Sequence, residues 1–560
     1  MSSVAETSQN TGGLSETKGL WLLFGLIALA MILPLGTFGL LEPDEGRYAE
    51  IGREMAAADG DWLIPHLNGI PHYQKPPVFY WLTAISLKTF GVSEFAARLP
   101  VALCAMGTLL FSIGISRRLY GNELSAKLTL VILASSPLFF ILSRLITPDT
   151  TMTFWITGAI YSLTRAQESR RWGWLLFVFA GLGFLTKGPV SFLIPFCAAI
   201  GYSISLKRTT GQSLRLPWVS GIILSLLIGL SWFLILAIRV PELADYFWKY
   251  ELVERFGSSA HGRSRPVWFF IPIIIVGFLP WTIVSFQMTP RIVRLRSERA
   301  GLFIGWLVIP FLILSLSGSK LPTYLLPLFP GLAVCLGGFL AGAVRDGRFA
   351  EVFPRWVRVS AVWLLFLLAA GPPVVSLGLG APLEVEFWLS LAISVFLIGG
   401  GIRWWIRSRK VFSERWLISL IALGVLGLVS LLSNLTSWND YLAQQASIKP
   451  IAQRILDESQ GLEESPRVIS CEVRAHGLEF YLGRIVEITR GSADIAAHSN
   501  SPTFVGTRTV LHDSAEAVAE IEGDGAPIFV VVRKKMYDSH FAQYGWESLQ
   551  ACGDFLLLRR

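Results

Sequence analysis

The sequence predicts a polytopic α-helical membrane protein, with about thirteen transmembrane helices and a C-terminal soluble α/β domain. Three observations carry that prediction. Of 560 residues, 52% are hydrophobic and only 16% are charged, and the mean hydropathy of +0.54 lies far above that of soluble domains. Apolar runs of bilayer-spanning length recur along most of the chain. Near residue 437 the composition changes: charged residues return and short strand-like runs begin. The chain therefore divides into a polar N-terminal tail (1–18), a transmembrane region with outward loops (19–436) and a soluble α/β domain (437–560).

The spans are expected near 19–41, 97–116, 128–146, 150–165, 172–186, 188–206, 217–239, 267–287, 300–318, 321–343, 356–379, 383–406 and 415–435. The first run lacks a small-residue cleavage site, so it is read as a retained span and not as a signal peptide. The piece "VFYWLTAISLKTFG" (78–91) is too short to cross and ends near Lys88, which places it in the interface. Loops such as "SRRLYGNELSAK", "TRAQESRR" and "PRIVRLRSER" are rich in Lys and Arg and mark the cytoplasmic side. The alternate loops, 42–97, 146–150, the turn at Lys187, 240–266, 318–321 and the tail, then face outward. Twenty Trp and 36 Phe suit lipid-facing and interfacial positions.

In the tail, "PRVISCEV", "RIVEITRG" and "APIFVVVRKK" read as strands, and "SIKPIAQRILDES" and "DSAEAVAEIEG" as helices. Three of five Cys lie in apolar runs; Cys471 and Cys552 both sit in strand-like contexts, and whether they pair is left open. The net charge of +8 is not gathered into one basic tract, which argues against nucleic acid as a partner.

The chemistry concentrates in the outward loops. "LLEPDEGRYAEIGREM" (40–55) carries Glu42, Asp44, Glu45, Arg47 and Glu50. One reading is purely local: Asp44 and Glu45 complement a helix N-terminus, while Arg47 pairs with Glu50 or Glu54. Against it stands the company of the other outward loops. "PHYQKPPVFYW" adds Tyr73, Lys75 and Tyr80, "SRLITPDTTMTFW" adds Arg144 and Asp149, and "FLTKGPV" adds Lys187. Lys249, Arg255, His261, Arg263 and Arg265 follow in one loop, and Lys320 and Tyr324 in "SGSKLPTYLLP". Ionisable groups at membrane depth are costly unless paired or functional. So many on one side predict a polar cavity.

Arg, Lys and Tyr donors suit phosphate oxygens, and a basic outward face suits a lipid-linked phosphate. Carboxylates among them suit general-base work or stabilisation of a developing positive charge on a sugar. They also suit a hard divalent cation, whereas no HExxH or Cys/His cluster supports zinc. No Walker A loop or dinucleotide fingerprint is present, which argues against a nucleotide as energy or sugar source. Local alternatives stand beside these readings: Lys187 snorkelling to the interface, and His261 as an exposed loop residue.

Taken in order, "PDEGRYAEIGREM", "GDWLIPHLNG", "YQKPPVFYW", "FAARLP", "TPD", "LTKGP", "YFWKYELVERF" and "GSKLPTYLLP" resemble the aminoarabinose transferases of Gram-negative bacteria, which are GT-C glycosyltransferases related to protein O-mannosyltransferases. The resemblance is strong over residues 20 to 345 and looser beyond. It implies about thirteen spans, a periplasmic α/β domain, and an inner-membrane enzyme that takes a sugar from undecaprenyl phosphate. In the aminoarabinose members the acceptor is a lipid A phosphate, and the modification confers polymyxin resistance. By the same resemblance Asp44 matches the first-loop catalytic carboxylate and Asp149 the second. Lys75, Arg255 or Arg265, and Tyr324 match donor-phosphate contacts; Arg47, Tyr48, Lys187 and His261 match other cavity positions.

One departure is Gln74, where the family pattern leads us to expect Glu before the "KP" lysine. An amide is not an anionic ligand and does not pair with an ammonium, which bears on metal binding and on preference for a 4-amino sugar. A related transferase with another sugar or acceptor, such as lipopolysaccharide core, another lipid or a protein, is the alternative enzyme reading. A lipid transporter is a third, but no inverted repeat supports it.

Overall fold

The computed structural model describes residues 3–241, 243, 265–279, 281–282, 284–286, 298–346, 446–462, 464–489, 509–521 and 527–560, with side chains from Thr17 onward. The expected spans at 356–379, 383–406 and 415–435, most of the loop 240–266, and the candidates Arg255 and His261 lie outside the described residues. The chain forms two compact units.

The first unit comprises Met1–Leu33, Val101–Arg144 and Pro148–Leu435. Its helices are α1 (Ser3–Ile32), the greater part of α4 (Glu94–Tyr120), α5 (Glu123–Ala134), α6 (Pro137–Leu142), α7 (Pro148–Arg165), α8 (Arg170–Lys187), α9 (Val190–Thr210), α10 (Trp218–Arg239), α11 (Phe270–Gly277), α12 (Glu298–Phe303), α13 (Ile309–Leu316) and α14 (Phe329–Arg345). The numbers α2 and α3 belong to the second unit. Among the described residues, six helices are long and apolar enough to cross a bilayer. The expected run 128–146 is broken. Ser135 and Ser136 turn their hydroxyls back onto the Val131 and Ile132 carbonyls at 2.6 and 2.7 Å, and Pro137, lacking an N–H, starts α6.

Helices in an apolar medium gain most from close backbone approach, which small residues permit. α9 meets the 298–308 segment in this way: a Cβ on Gly301 would lie 1.9 Å from the Gly201 carbonyl oxygen, and one on Gly305 2.2 Å from that of Cys197. The same segment widens to a π-helical turn at Ile304–Val308. There Trp306 is fully buried and donates its indole N–H to the Pro327 carbonyl at 3.0 Å.

The second unit is discontinuous in sequence, joining Pro34–Pro100, Leu145–Thr147 and Thr436–Arg560. Its helices are α2 (Asp44–Ala56), α3 (Val78–Phe90), α15 (Lys449–Glu458), α16 (Gly477–Leu482) and α17 (Ala515–Ala519). Between α2 and α3 a small hairpin pairs β1 (His66–Leu67) with β2 (Ile70–Pro71). Its turn residues Asn68 and Gly69 have φ of 55° and 74°, the left-handed region that Asn and Gly tolerate best. The Asn68 amide group exchanges two 2.9 Å hydrogen bonds with the Val486 backbone, which pins the first loop to the tail.

The tail forms a six-stranded sheet of β3 (Arg467–Ser470), β4 (Glu487–Thr489), β5 (Leu511–His512), β6 (Ile528–Arg533), β7 (Glu547–Cys552) and β8 (Phe555–Arg559), in the order β5-β4-β3-β6-β8-β7. The first four of these in spatial order run parallel; β8 and β7 complete an antiparallel edge. Because successive side chains alternate faces, Phe529 and Val531 pack with Ile451 and Ile455 of α15, whereas Val530 and Val532 pack with Val518 of α17 and with Trp546. Cys552 lies in the first of these cores and Cys471 in the second, so the pairing left open by the sequence does not form. Burial pushes the Cys471 thiol up to about 12.

Candidate functional site

The site in the second unit is built on α2. Asp44 and Glu45 occupy its first turn, where carboxylates complement the helix dipole. One residue advances the helix by about 100°, so the two adjacent carboxylates point in different directions. Asp44 is 62% exposed. Glu45 is buried and meets Arg98, whose side chain has no exposure at all.

Arg98 spends all five of its N–H donors. Two go to the Glu45 carboxylate at 3.0 and 2.7 Å. The other three go to the Leu35, Phe38 and Gly39 carbonyls at 2.9, 2.8 and 2.9 Å. Glu45 in turn accepts from the Leu41 and Ile146 amides at 3.0 and 2.9 Å. A buried charge is tolerated when it is paired and its remaining hydrogen-bonding capacity is filled, and both conditions hold here. The pair fixes the connection that delivers Asp44, and it holds the Ile146 backbone.

Around Asp44 the predicted first-loop residues come together. Arg47 pairs with Asp44, not with Glu50 or Glu54 as the local reading expects; Glu50 is taken by Arg53 through two bonds of 2.7 and 2.6 Å. Lys75 donates to the Tyr48 hydroxyl. The buried Tyr48 ring has the Lys75 ammonium 4.7 Å and the Arg47 guanidinium 5.1 Å from its centroid, a geometry in which the ring face stabilises both cations. Tyr80 is buried behind it, its ring 6.2 Å from that of Tyr48 and 6.3 Å from His72.

The opposite flank of α2 packs on α16, which the sequence did not reveal. Glu42 accepts from the Gly477 amide at 2.8 Å, and burial raises its carboxyl well above the usual range. Glu50 is raised for the same reason. On α16, burial and then the nearby Glu54 push Glu479 up to about 8.

In the first unit, Asp149 in the first turn of α7 pairs with Lys187, the last residue of α8. The Lys187 ammonium lies 5.0 Å from the ring centroid of Tyr324, which sits on the 3₁₀ helix Pro322–Leu328. Lys187 therefore does not simply reach for water. Arg144 is buried with its guanidinium 4.3 Å from the Phe140 ring. Lys320 is also buried and gives its ammonium to the Arg265 carbonyl at 3.0 Å and to the Ser317 carbonyl. It holds the backbone of Arg265, whose own side chain is exposed. Among the described residues no group of three or more His, Cys, Asp or Glu side chains is arranged to hold a metal ion.

Arg98, within "FAARLP", is not among the residues that the sequence assigns to the site. The signal was there, since an arginine inside an apolar run at a span's start is costly unless it has a partner. Nothing local, however, named Glu45, 53 positions earlier, as that partner.

The apolar helices define a multi-pass membrane protein, and it carries carboxylates flanked by cations. Residues 17–247 match the dolichyl-phosphate-mannose-protein mannosyltransferase family. The chain is similar to the undecaprenyl phosphate-α-4-amino-4-deoxy-L-arabinose arabinosyl transferase of Serratia proteamaculans, with 30% identity over 71% of this chain and 73% of that one. It is 32% identical to the transferase of the same name from Edwardsiella ictaluri, over 58% of this chain; the match spans 60% of that relative's length. The fold is shared with the crystal structure of ArnT from Cupriavidus metallidurans bound to undecaprenyl phosphate: TM-score 0.79 at 24% identity, covering 97% of this chain and 98% of that one. This chain belongs to the undecaprenyl phosphate-α-4-amino-4-deoxy-L-arabinose arabinosyl transferase family.

Proposed function

We propose that this protein moves 4-amino-4-deoxy-L-arabinose from undecaprenyl phosphate to a phosphate of lipid A, at the periplasmic face of the inner membrane. The observation that carries this reading is the exposed Asp44 carboxylate beside Arg47, Tyr48 and Lys75, in a chain of this family.

The reaction exchanges one anomeric C–O bond for another. The bond to the lipid phosphate breaks and its electron pair stays on that phosphate, while an oxygen of the acceptor phosphate supplies the pair for the new bond. Arg47 and Lys75 stabilise the charge that develops on the leaving phosphate, and the Tyr48 ring beside both limits their movement. A phosphomonoester with a second pKa of about 6 is already deprotonated near neutrality, so no base has to remove a proton. Asp44 stabilises the positive charge developing on the sugar. In the first unit Lys187 is the further candidate cation, oriented by Asp149 and Tyr324, and Arg265 is held by Lys320.

The test is the mass spectrum of lipid A from a host lacking its own aminoarabinose transferase and expressing this chain or its Asp44→Asn variant. A pentosamine increment that disappears in the variant supports the reading. Normal modification by the variant removes Asp44 from the mechanism. Unmodified lipid A with the parent protein stably inserted removes this donor and acceptor pair.

A further inference from the structure

Within the second unit a cavity of about 530 Å³ opens where the C-terminal ends of α2 and α3 meet α16. Its lining includes Arg53, Lys88 and Lys449 against a single carboxylate, Glu94. Glu94 is already engaged, by Lys449 at 2.6 Å and by the Tyr481 hydroxyl at 3.3 Å. Glu50 holds Arg53 from behind. Lys88 has no carboxylate within ion-pair distance among the described residues; its ammonium lies 5.9 Å from the Trp62 ring centroid.

The helix beside this cavity is apolar on two sides. Phe79, Tyr80, Ala84 and Leu87 of α3 are buried inside the unit. Ile85 on the opposite side, Phe90 at the C-terminal end of the helix and Val92 just beyond it are each more than half exposed. Trp81, on the Ile85 face, donates its indole N–H to the Trp62 carbonyl at 2.6 Å, and the Trp62 ring is the one beside Lys88. Exposed aliphatic and aromatic side chains, paired tryptophans and a terminal lysine are the composition of a segment seated at the membrane–water boundary. Cations at that level meet lipid phosphates.

We propose that this cavity binds the phosphate-bearing headgroup of an anionic phospholipid. Lys88 and Lys449 contact the phosphate, Val92 and Phe480 cover the glycerol carbons, and the exposed face of α3 accompanies the acyl chains into the bilayer. The site lies on the opposite end of α2 from Asp44, and its occupancy is read without reference to the transfer reaction.

The experiment is calorimetric titration of the detergent-solubilised full chain with short-chain phosphatidylglycerol. Phosphatidylcholine, glycerol phosphate and inorganic phosphate serve as separate titrants and competitors. One saturable site for phosphatidylglycerol is expected. An interfacial lysine contributes about 1 kcal/mol toward an anionic lipid surface, so Lys88→Gln should weaken binding about fivefold and Lys88→Gln with Lys449→Gln about 25-fold. Lys88→Gln breaks no ion pair, so its melting curve should match the parent's and its binding result stands without a folding artefact. Unchanged affinity in both variants overturns the proposal, as does equal affinity for phosphatidylcholine, which marks a merely apolar surface. Competition by inorganic phosphate at the affinity of the lipid overturns the lipid assignment in favour of a free-anion site.

Discussion

Removing the Arg98 guanidinium is the perturbation with the best-defined consequence. Arg98→Met keeps much of the side-chain volume but strands the Glu45 carboxylate and leaves the Leu35, Phe38 and Gly39 carbonyls without their donor. Breaking a buried ion pair by deleting one partner costs about 3–5 kcal/mol. In a unit of this size each kcal/mol moves the melting temperature by roughly 2–4 °C, so a fall of about 10 °C is expected in detergent. Arg98→Lys keeps the charge but has three donors for five bonds, and should fall between the parent and Arg98→Met. The double variant Glu45→Gln with Arg98→Met buries neither charge alone, so it should lose less than the sum of the single losses. Melting of Arg98→Met within about 2 °C of the parent, on the same scale, would refute the reasoning. So would strict additivity in the double variant, because the two side chains would then not act as a unit.

The other expectations follow from the same geometry. Lys75→Gln should leave the melting temperature nearly unchanged but reduce transfer by about 10²-fold or more, as for loss of one preorganised charge-stabilising donor; unchanged kcat in a reconstituted assay contradicts the role proposed for it at the leaving phosphate. Lys187→Met leaves Asp149 buried without its cation and should destabilise by about 3 kcal/mol, whereas adding Asp149→Asn restores much of that loss while transfer stays low. Thermal melting of the two variants separates the outcomes. Glu479 holds its proton more tightly in the folded protein, up to about pH 8, than a free carboxyl near 4.5 does. Its contribution is therefore full below about pH 4.5 and is lost as pH rises toward 8. Glu479→Gln should flatten part of the decline in stability across that window, leaving the part due to Glu42 and Glu50, and an unaltered pH profile contradicts the assignment.

Much of this protein is legible in its sequence, because the features concerned are local or compositional. Membrane residence follows from apolar runs whose length the bilayer dictates, and the start of α2 at Asp44 follows from acidic residues ahead of a helical pattern. The strand at "IFVVVR" announces itself as a short, continuous β-branched run. The hairpin of β7 and β8 and the six-residue α16 carry patterns too weak to announce them. Only the tertiary structure decided which of two neighbouring carboxylates is buried and which is presented. Asp44 and Glu45 are chemically near-identical and adjacent, and the difference comes from Arg98, brought to Glu45 across 53 residues of chain. Likewise Arg47 chose Asp44, and Glu479 acquired its high pKa from burial against α2. Periodicity and motif order report which side a residue takes on its own helix; desolvation and long-range pairing depend on what else arrives there, and that is fixed only when the chain has folded.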